Sequence, residues 1–438
     1  MSASNTINAV SVVPAAGNRQ WLLWGIVLIL ALLLPWAFYD YSTGRHSGFV
    51  LTMCSQMGMM ILFALSYNML MGQAGMLSFG HATFFGLGGY STIHFLNFAS
   101  KGELPVPVEL MPLLAGFAAL GFGIVFGYVA AKQRATAFAM ITMGIGELIA
   151  VAAIMFHNFF GGEGGVSADR MIERSIVGIS YSSPVQVYYL IVLWTVIGSL
   201  GMLFLTRTPL GAMANACRDN FERAQFMGYD PRRVRFVQFV LSSFFAGIGG
   251  GLYAITYEIV TFDAVSGALS ANAVLMAYIG GQASFMGPVL GAAVITLMQS
   301  VVSLWSNSWL IYVGVMFITI VAFAPQGLAG IIESHGPIAQ AGRLNRLFVP
   351  YARMATPAIG VLVGAVGLVE LANFITIGAA QGKKLALFGS EVPAYTATPW
   401  VICAACLVVG GIWLKFEAAN YLRVWDAITE DLKLRSDT

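Results

Sequence analysis

Charged residues are scarce in this 438-residue sequence. Asp, Glu, Lys and Arg make up 10% of it, against about 25% in soluble domains, and none of the four occurs from residue 46 to residue 100. Hydrophobic residues make up 58%, and the mean hydropathy is +0.78. A soluble protein of this length needs a more polar surface. The composition therefore predicts an all-α polytopic membrane protein, because lipid offers no water to satisfy open backbone.

Several other classes are excluded or disfavoured. The formal net charge of +2 predicts no strongly basic surface and hence no nucleic-acid partner. Of the four cysteines, Cys403 and Cys406 form a C-x-x-C, but inside an apolar stretch, where cysteine mostly acts as a small hydrophobe. The sequence contains no G-x-x-x-x-G-K-[ST], H-E-x-x-H or G-x-S-x-G. We therefore predict no enzyme activity, no metal site and no cofactor in this chain.

The apolar stretches predict twelve spans. They lie at about 21–38, 49–71, 79–99, 110–131, 136–157, 185–205, 237–258, 268–283, 287–304, 308–323, 354–377 and 398–415. With the N-terminus inside, six of the 22 basic residues fall outside: Arg45, Lys101, Arg170, Arg174, Lys383 and Lys384. The other sixteen fall inside. Because basic loops stay cytoplasmic, we predict that both termini are cytoplasmic.

The organisation that follows has five parts. They are a cytoplasmic N-terminus with the first span (1–48), a permease core (49–332) with a charged inner loop (206–235), a cytoplasmic linker (333–353), an extra C-terminal hairpin (354–415) and a tail (416–438). About ten transmembrane helices, some of them broken or re-entrant, precede the extra hairpin. The tail carries Tyr421, Leu422, Trp425, Ile428 and Leu432 at helical spacing, which predicts an amphipathic helix on the inner membrane face.

The inner loop contains "TPLGAMANACRDNFERAQFMGYDPRRVR", residues 208–235. Thr208 and Pro209 suit the start of a helix and Gly228 its end. Within it an apolar stripe has helical spacing: Leu210, Met213, Ala214, Cys217, Phe221 and Ala224. A helix of this kind either docks into a partner's groove or rests on lipid headgroups.

A second motif, "LSFGHATFFGLGGY" at 77–90, places glycines and His81 in an apolar run. Small residues allow close helix packing, and "MGQAGMLS" at 71–78 predicts an interruption between two spans. His81 is interpreted either as a gate residue at a subunit interface or, preferentially, as a buried structural histidine. Glu147 is an intramembrane carboxylate that either lines the path or bonds a neighbouring span, whereas Glu370 is expected to stabilise packing.

These motifs resemble the LivM-like permease subunits of branched-chain amino acid ABC importers. The inner loop fits a P-[FL]-G-x-x-x-x-A-x-R-[DE]-N pattern followed by A-x-x-x-G, and residues 75–90 fit G-x-x-S-x-G-H-A-x-F-F-G-x-G-x-Y. "GGEGGVS" at 161–167, "GGQASFMGPVLGAA" at 280–293 and "FAPQGLAG" at 323–330 are similar to three further family motifs. The resemblance covers roughly residues 49–332, and residues after Ser334 are not covered.

The resemblance implies an ATP-driven importer in a bacterial inner membrane. Its partners would be a second, LivH-like permease, two ATPase subunits that bind ATP and Mg, and a periplasmic solute-binding protein. It assigns coupling to the ATPase to Pro209, Leu210, Gly211, Ala216, Arg218, Asp219, Asn220, Glu222, Ala224 and Gly228. It assigns the translocation pathway to Gly75, Ser78, Gly80, His81, Phe84 and Phe85. Glu147 is added to the pathway because a carboxylate within a span is costly and indicates function. The resemblance assigns contact with the binding protein to Gly161, Gly162 and Glu163.

Two positions depart from the family pattern. Met76 stands where Gln is common, and Gly164 follows Glu163 where Asp or Asn is common. If these positions touch the solute, urea, a short amide or an aromatic acid becomes an alternative to a branched-chain amino acid. The alternative from another functional class is a self-contained secondary transporter or channel, which would account for Glu147 but not for the inner loop.

Overall fold

The computed structural model describes residues 31–40, 45–133, 135–172, 174–176, 178–226, 228–378, 386–387 and 390–436, with Gly25 and Ile29. The N-terminus before the predicted first span, and part of that span, lie outside these residues. The described chain is mainly helical. Its strands form three antiparallel pairs: β1 (Tyr39–Asp40) with β2 (Arg45–His46), β3 (Val166–Ser167) with β4 (Ile259–Val260), and β5 (Ala386–Leu387) with β6 (Ser390–Glu391).

The helices follow the apolar stretches closely. In the core they are α1 (Gly48–Asn68), α2 (Ala82–Ser100), α3 (Met111–Ala130), α4 (Ala135–Met155), α5 (Pro184–Arg207), α6 (Pro209–Asp219), α7 (Phe221–Phe226), α8 (Pro231–Tyr257), α9 (Gly267–Gly280), α10 (Gly287–Leu297) and α11 (Trp309–Phe323). Beyond them lie α12 (Gly327–Gln340), α13 (Asn345–Asn373) and α14 (Ala397–Ser436). Proline occupies the first turn of several helices, where a backbone N–H would have no acceptor within the helix. These residues are Pro112, Pro184, Pro209, Pro231 and Pro288.

The predicted polytopic architecture is confirmed. Within the described chain, eight helical segments are long and apolar enough to cross a membrane, or nine if α11 and α12, bent by 45°, form one span. Apart from 21–38, which is only partly described, two predicted spans are not among them. α2 has 19 residues but carries His94, Asn97 and several glycines, and α9 has only 14 residues. At about 1.5 Å per residue, α9 is shorter than a hydrocarbon core of about 30 Å.

Helix α8 lies at the centre of the bundle and packs on α1, α2 and α3. Its crossing with α2 is so close that a Cβ on Gly88 would lie 2.6 Å from the Cα of Gly247. Lipid supplies no hydrophobic force between helices. Close backbone packing, through its dispersion energy, stabilises the association of α2 and α8 instead. The predicted close packing of the glycines at 77–90 is therefore confirmed.

The C-terminal segments are more helical and more closely packed than the sequence pattern shows. The segment predicted as a linker, 333–353, is mostly helical, since α12 runs to Gln340 and α13 begins at Asn345. The predicted tail helix is present as the continuation of α14, which runs without a break for 40 residues. Part of its apolar side packs against the chain, because Ile428 is buried with Ile338 and Leu347. An amphipathic pattern does not reveal whether lipid or protein covers it.

The hairpin of α13 and α14 is held by polar contacts near both ends. Near one end, the carboxylate of Glu370 accepts hydrogen bonds from two residues of the core, Ser306 just before α11 and Tyr312 within it. Near the other, Arg343 in the connection between α12 and α13 pairs with Asp431 of α14. The predicted structural role of Glu370 agrees with this contact.

Candidate functional site

The candidate site is the break between α1 and α2. Helix α1 ends in a π-helical turn, Met69–Gln73, and Gly75 follows with φ +63°, a left-handed conformation that favours glycine. The chain then turns back along α1 without helical structure until Ala82, so that His81 reaches Ser66. This is the interruption that the glycines and the 71–78 segment predict, and it places irregular backbone inside protein, where a membrane fold tolerates it.

His81 is completely buried at the end of this break. Its Nε2 lies 2.9 Å from the Oγ of Ser66, and its ring stacks on Phe63 with centroids 5.5 Å apart. The Ser66 hydroxyl donates to the carbonyl of Phe63, so the imidazole donates to Ser66. The ring thereby fixes the return of the break onto α1, which favours the structural interpretation over a gate.

The predicted pathway residues separate into two groups. Ser78, His81, Phe84 and Phe85 are buried inside the chain. Glu147 differs, because its side chain lies on the exposed face of α4. Its carboxylate is close to the first residue of α9: a Cβ on Gly267 would lie 2.9 Å from Oε1 of Glu147. The partial positive charge of a helix N-terminus favours a carboxylate at this place.

The exposed face of α4 is otherwise apolar or small, with Met140, Met143, Gly144, Leu148 and Val151 beside Glu147. A charged group facing lipid costs about 2.5–3.5 kcal/mol on insertion scales. A polar pathway or a second subunit beside this face would remove that cost.

The inner loop forms two helices where the sequence predicts one. α6 ends at Asp219, Asn220 is extended, and α7 begins at Phe221. The Oδ1 of Asn220 accepts a hydrogen bond of 2.9 Å from the N–H of Arg223. Asparagine caps a helix start well, so the side chain that ends α6 also begins α7. Thr208 and Pro209 start α6 as predicted, although the Thr208 hydroxyl bonds back to Leu205 rather than to the new helix.

The apolar stripe of this loop does not face outward. Ala214, Cys217 and Ala224 are buried in the core, and Gly211 packs against the end of α5. Burial raises the pKa of the Cys217 thiol, and the charge of Arg235 lowers it in part, so this cysteine is a packing residue. The prediction that the stripe fills a partner's groove is therefore wrong, since the stripe completes the chain's own core.

The exposed side of the loop is mainly polar. Among the predicted coupling residues it presents Pro209, Ala216, Arg218, Asp219, Asn220, Glu222 and Gly228. Among the described residues of the loop, Phe226 is the most exposed large hydrophobic side chain, 90% exposed at the tip of α7. The described part of the loop thus offers a partner a large apolar side chain among charged residues. The sequence places Phe226 next to the stripe without showing that it points away from the core.

Three side chains from the loop and α8 bind the carbonyls at the end of α1. Ser242 donates to Ser66 O at 2.7 Å, Gln238 donates to Met69 O at 3.0 Å, and Arg218 donates to Gly72 O. The last carbonyls of a helix have no partner within it, and a buried carbonyl needs one. Sequence reasoning missed Gln238 and Ser242. Polar residues inside the apolar stretch of α8 were the available signal.

Two late glycine motifs meet the break at the same end of the bundle. Gly281, with φ +108°, packs against Gln326 and Gly327. A Cβ on Gly72 would in turn lie 2.5 Å from the carbonyl oxygen of Gln282. Motifs more than 200 residues apart therefore pack together beside α6, which sequence spacing does not show. We call this end of the bundle the coupling end.

The third glycine motif lies at the opposite end. Gly161 and Gly165 have φ of +74° and +71°, and β3 follows to pair with β4. His94 on α2 donates to the carbonyl of Phe159 at 2.8 Å, which holds this loop against the bundle. Glu163 is exposed and Gly162 is buried. No group of three or more metal-binding side chains occurs in the part of the chain that the structure describes.

Comparison with known proteins gives a consistent result. The family described as "Branched-chain amino acid transport system / permease component" matches residues 49–324. The chain is 24% identical over 329 residues to the high-affinity branched-chain amino acid transport system permease protein LivM of Escherichia coli, covering 69% of this chain and 74% of that protein.

Two other relatives match shorter parts. The corresponding permease protein BraD of Pseudomonas aeruginosa is 24% identical over 253 residues, 55% of this chain and 80% of its own length. A probable branched-chain amino acid transport permease protein LivH of Methanocaldococcus jannaschii is 29% identical over 140 residues, 30% of this chain and 43% of its own. No solved structure matched the chain. The α13–α14 hairpin lies beyond the matched residues.

Proposed function

The chain belongs to the branched-chain amino acid transport permease family, and from that premise we propose that it is the LivM-like subunit of an ATP-driven importer in the bacterial inner membrane. It lies there with both termini in the cytoplasm. It pairs with a LivH-like permease, two ATPase subunits and a periplasmic binding protein. The observation that carries the proposal is the α6–α7 loop, which presents a polar surface and the exposed Phe226 beside the broken helix.

The loop supplies what an ATPase needs in order to act on a membrane domain. Its outer side is exposed, whereas its inner side is packed into the core through Ala214 and Cys217. A force applied at Phe226 and the neighbouring charges would therefore reach the bundle rather than bend a flexible loop. The sequence has no P-loop, so ATP and Mg bind to partner subunits.

The solute path lies along the exposed face of α4, with Glu147 on it. This face meets the second permease, so the path runs between two subunits and closes when they pack. At the opposite end, the loop that carries Glu163 receives the binding protein. In this arrangement His81 holds the break in shape and does not touch the solute.

A branched-chain amino acid is the proposed solute. Met76, which departs from the family pattern, is only 1% exposed and packs inside the chain. It therefore gives no reason to prefer urea, a short amide or an aromatic acid. Gly164 is exposed at the opposite end, where it would affect delivery by the binding protein rather than the path.

The second candidate is a self-contained secondary transporter, favoured by the exposed carboxylate of Glu147 within a span. One experiment separates the two functions. The tagged chain is purified from its membranes in mild detergent, its bound proteins are identified, and the preparation is reconstituted for uptake of labelled leucine with and without ATP. We expect a second permease, P-loop ATPases and ATP-dependent uptake. Uptake by the chain alone, without ATP, would refute the importer.

A further inference from the structure

Arg218 lies on the coupling loop, but its guanidinium points into the bundle. It donates from Nη1 to the carbonyl of Gly72 and from Nε to Oδ1 of Asp219 at 3.0 Å. Its side chain is 39% exposed, while that of Asp219 is 68% exposed. Arg218 therefore binds the broken helix, and Asp219 orients the guanidinium from the solvent side.

The fit between Arg218 and the break is close. Gly75 packs on the aliphatic part of the arginine: a Cβ at this position would lie 2.8 Å from Cγ of Arg218. Gly72 packs tightly against Asn68 and Gln282, so it cannot move away from Arg218 without moving them. The carbonyl of Gly72 is available because the π-helical turn ends there without a following helix. A guanidinium is a strong donor for it, since charge-assisted hydrogen bonds exceed neutral ones.

The other end of the break contacts α4. The N–H of Phe79 donates to Oγ1 of Thr142 at 3.3 Å, and a Cβ on Gly146 would lie 3.1 Å from the Cα of Gly80. Glu147 is the next residue of α4. A continuous series of contacts thus joins α6, through Arg218 and the break, to the helix that carries the exposed carboxylate.

We propose that Arg218 is a positioning residue that transmits displacement of the coupling loop to the α1–α2 break and from there to α4. The proposal rests on the proposed function and assigns one link within it. When an ATPase moves α6 and α7, Arg218 moves Gly72 and Gly75, and the break pushes on Thr142 and so shifts α4. Arg218 thereby takes part in coupling through the break rather than as a contact with the ATPase.

The test uses the complete transporter, reconstituted with its partner subunits. Arg218→Ala is compared with Arg218→Lys and with Arg353→Ala, an exposed arginine of the hairpin outside the family region. Three quantities are measured for each: co-purified ATPase, ATP hydrolysis and solute uptake per ATP. We expect Arg218→Ala to keep its ATPase and to lower uptake per ATP about tenfold, the loss expected for one charged hydrogen bond. Arg218→Lys should restore part of the uptake per ATP, and Arg353→Ala should have the same uptake per ATP as the natural protein.

A second pair of variants tests the contact itself. Gly75→Ala introduces a methyl group against Cγ of Arg218, and Arg218→Ala removes that Cγ. Alanine at Gly75 is strained by the φ of +63° in either background, but only Arg218 adds the clash with Cγ. We therefore expect Gly75→Ala to lower uptake more beside Arg218 than in the Arg218→Ala background. Additive losses would overturn the proposed contact.

The possible failures are distinguishable. If Arg218→Ala loses its ATPase, Arg218 binds the ATPase directly, and the positioning role is wrong while the importer stands. If uptake per ATP is unchanged in Arg218→Ala, the transmission route is wrong. If the natural chain retains no ATPase and moves solute without ATP, the proposed function itself fails.

Discussion

Replacing Gly80 by alanine tests the contact between the break and α4. Gly80 does not have a positive φ, so alanine meets no backbone strain there. Its Cβ would instead lie 2.9 Å from the carbonyl carbon of Thr142 and still closer to the oxygen. Carbon atoms normally approach to about 3.5–4.0 Å. The carbon contact alone therefore requires the break and α4 to separate by at least about 0.6–1.1 Å. Both partners are backbone, which cannot rotate away.

Overpacking of this kind costs about 1–3 kcal/mol, or roughly 5- to 150-fold in the unfolding equilibrium constant. Gly164→Ala is the matched control, because Gly164 also lacks a positive φ but has open space where the Cβ would be. The assay is unfolding of the purified chain in lipid–detergent micelles by titration with sodium dodecyl sulfate. We expect Gly80→Ala to unfold at a lower detergent fraction than Gly164→Ala. Equal midpoints would refute the close approach of the break to α4.

Three further changes have defined outcomes. Glu147→Leu should leave the chain folded but lower solute uptake about tenfold or more, because the path loses a polar group. Glu147→Gln should be intermediate. Normal uptake by Glu147→Leu would exclude Glu147 from the path. Phe226→Ser should weaken retention of the ATPase about tenfold in pull-downs, whereas Phe348→Ser, an exposed phenylalanine of the hairpin, should not. Glu370→Ala leaves the hydroxyls of Ser306 and Tyr312 without their acceptor and should destabilise the hairpin by about 1–3 kcal/mol. The assay is the rate of proteolysis between residues 379 and 396, which should rise. An unchanged rate would contradict the anchoring role.

The function class could be predicted from the sequence because its signals are local. Helices in lipid need long apolar stretches. The closely spaced glycines of 77–90 indicate a place where helix backbones pack closely or a helix is interrupted. The charged loop between two spans was equally visible. The sequence could not show which side of that loop is covered. The spacing of Ala214 and Cys217 is the same whether a partner or the chain itself buries them, and the structure shows that the chain does.

Composition and periodicity are enough to establish a helical membrane protein with a broken, glycine-rich segment and a charged loop, because these signals act over a few residues. The folded structure alone shows which distant groups meet. It joined Arg218 to Gly72 across 146 positions and Ser242 to Ser66 across 176. It also extended α14 through the predicted tail and buried Ile428 against α12 and α13. Such contacts depend on how whole helices cross, and helix crossing is set by packing of the complete chain.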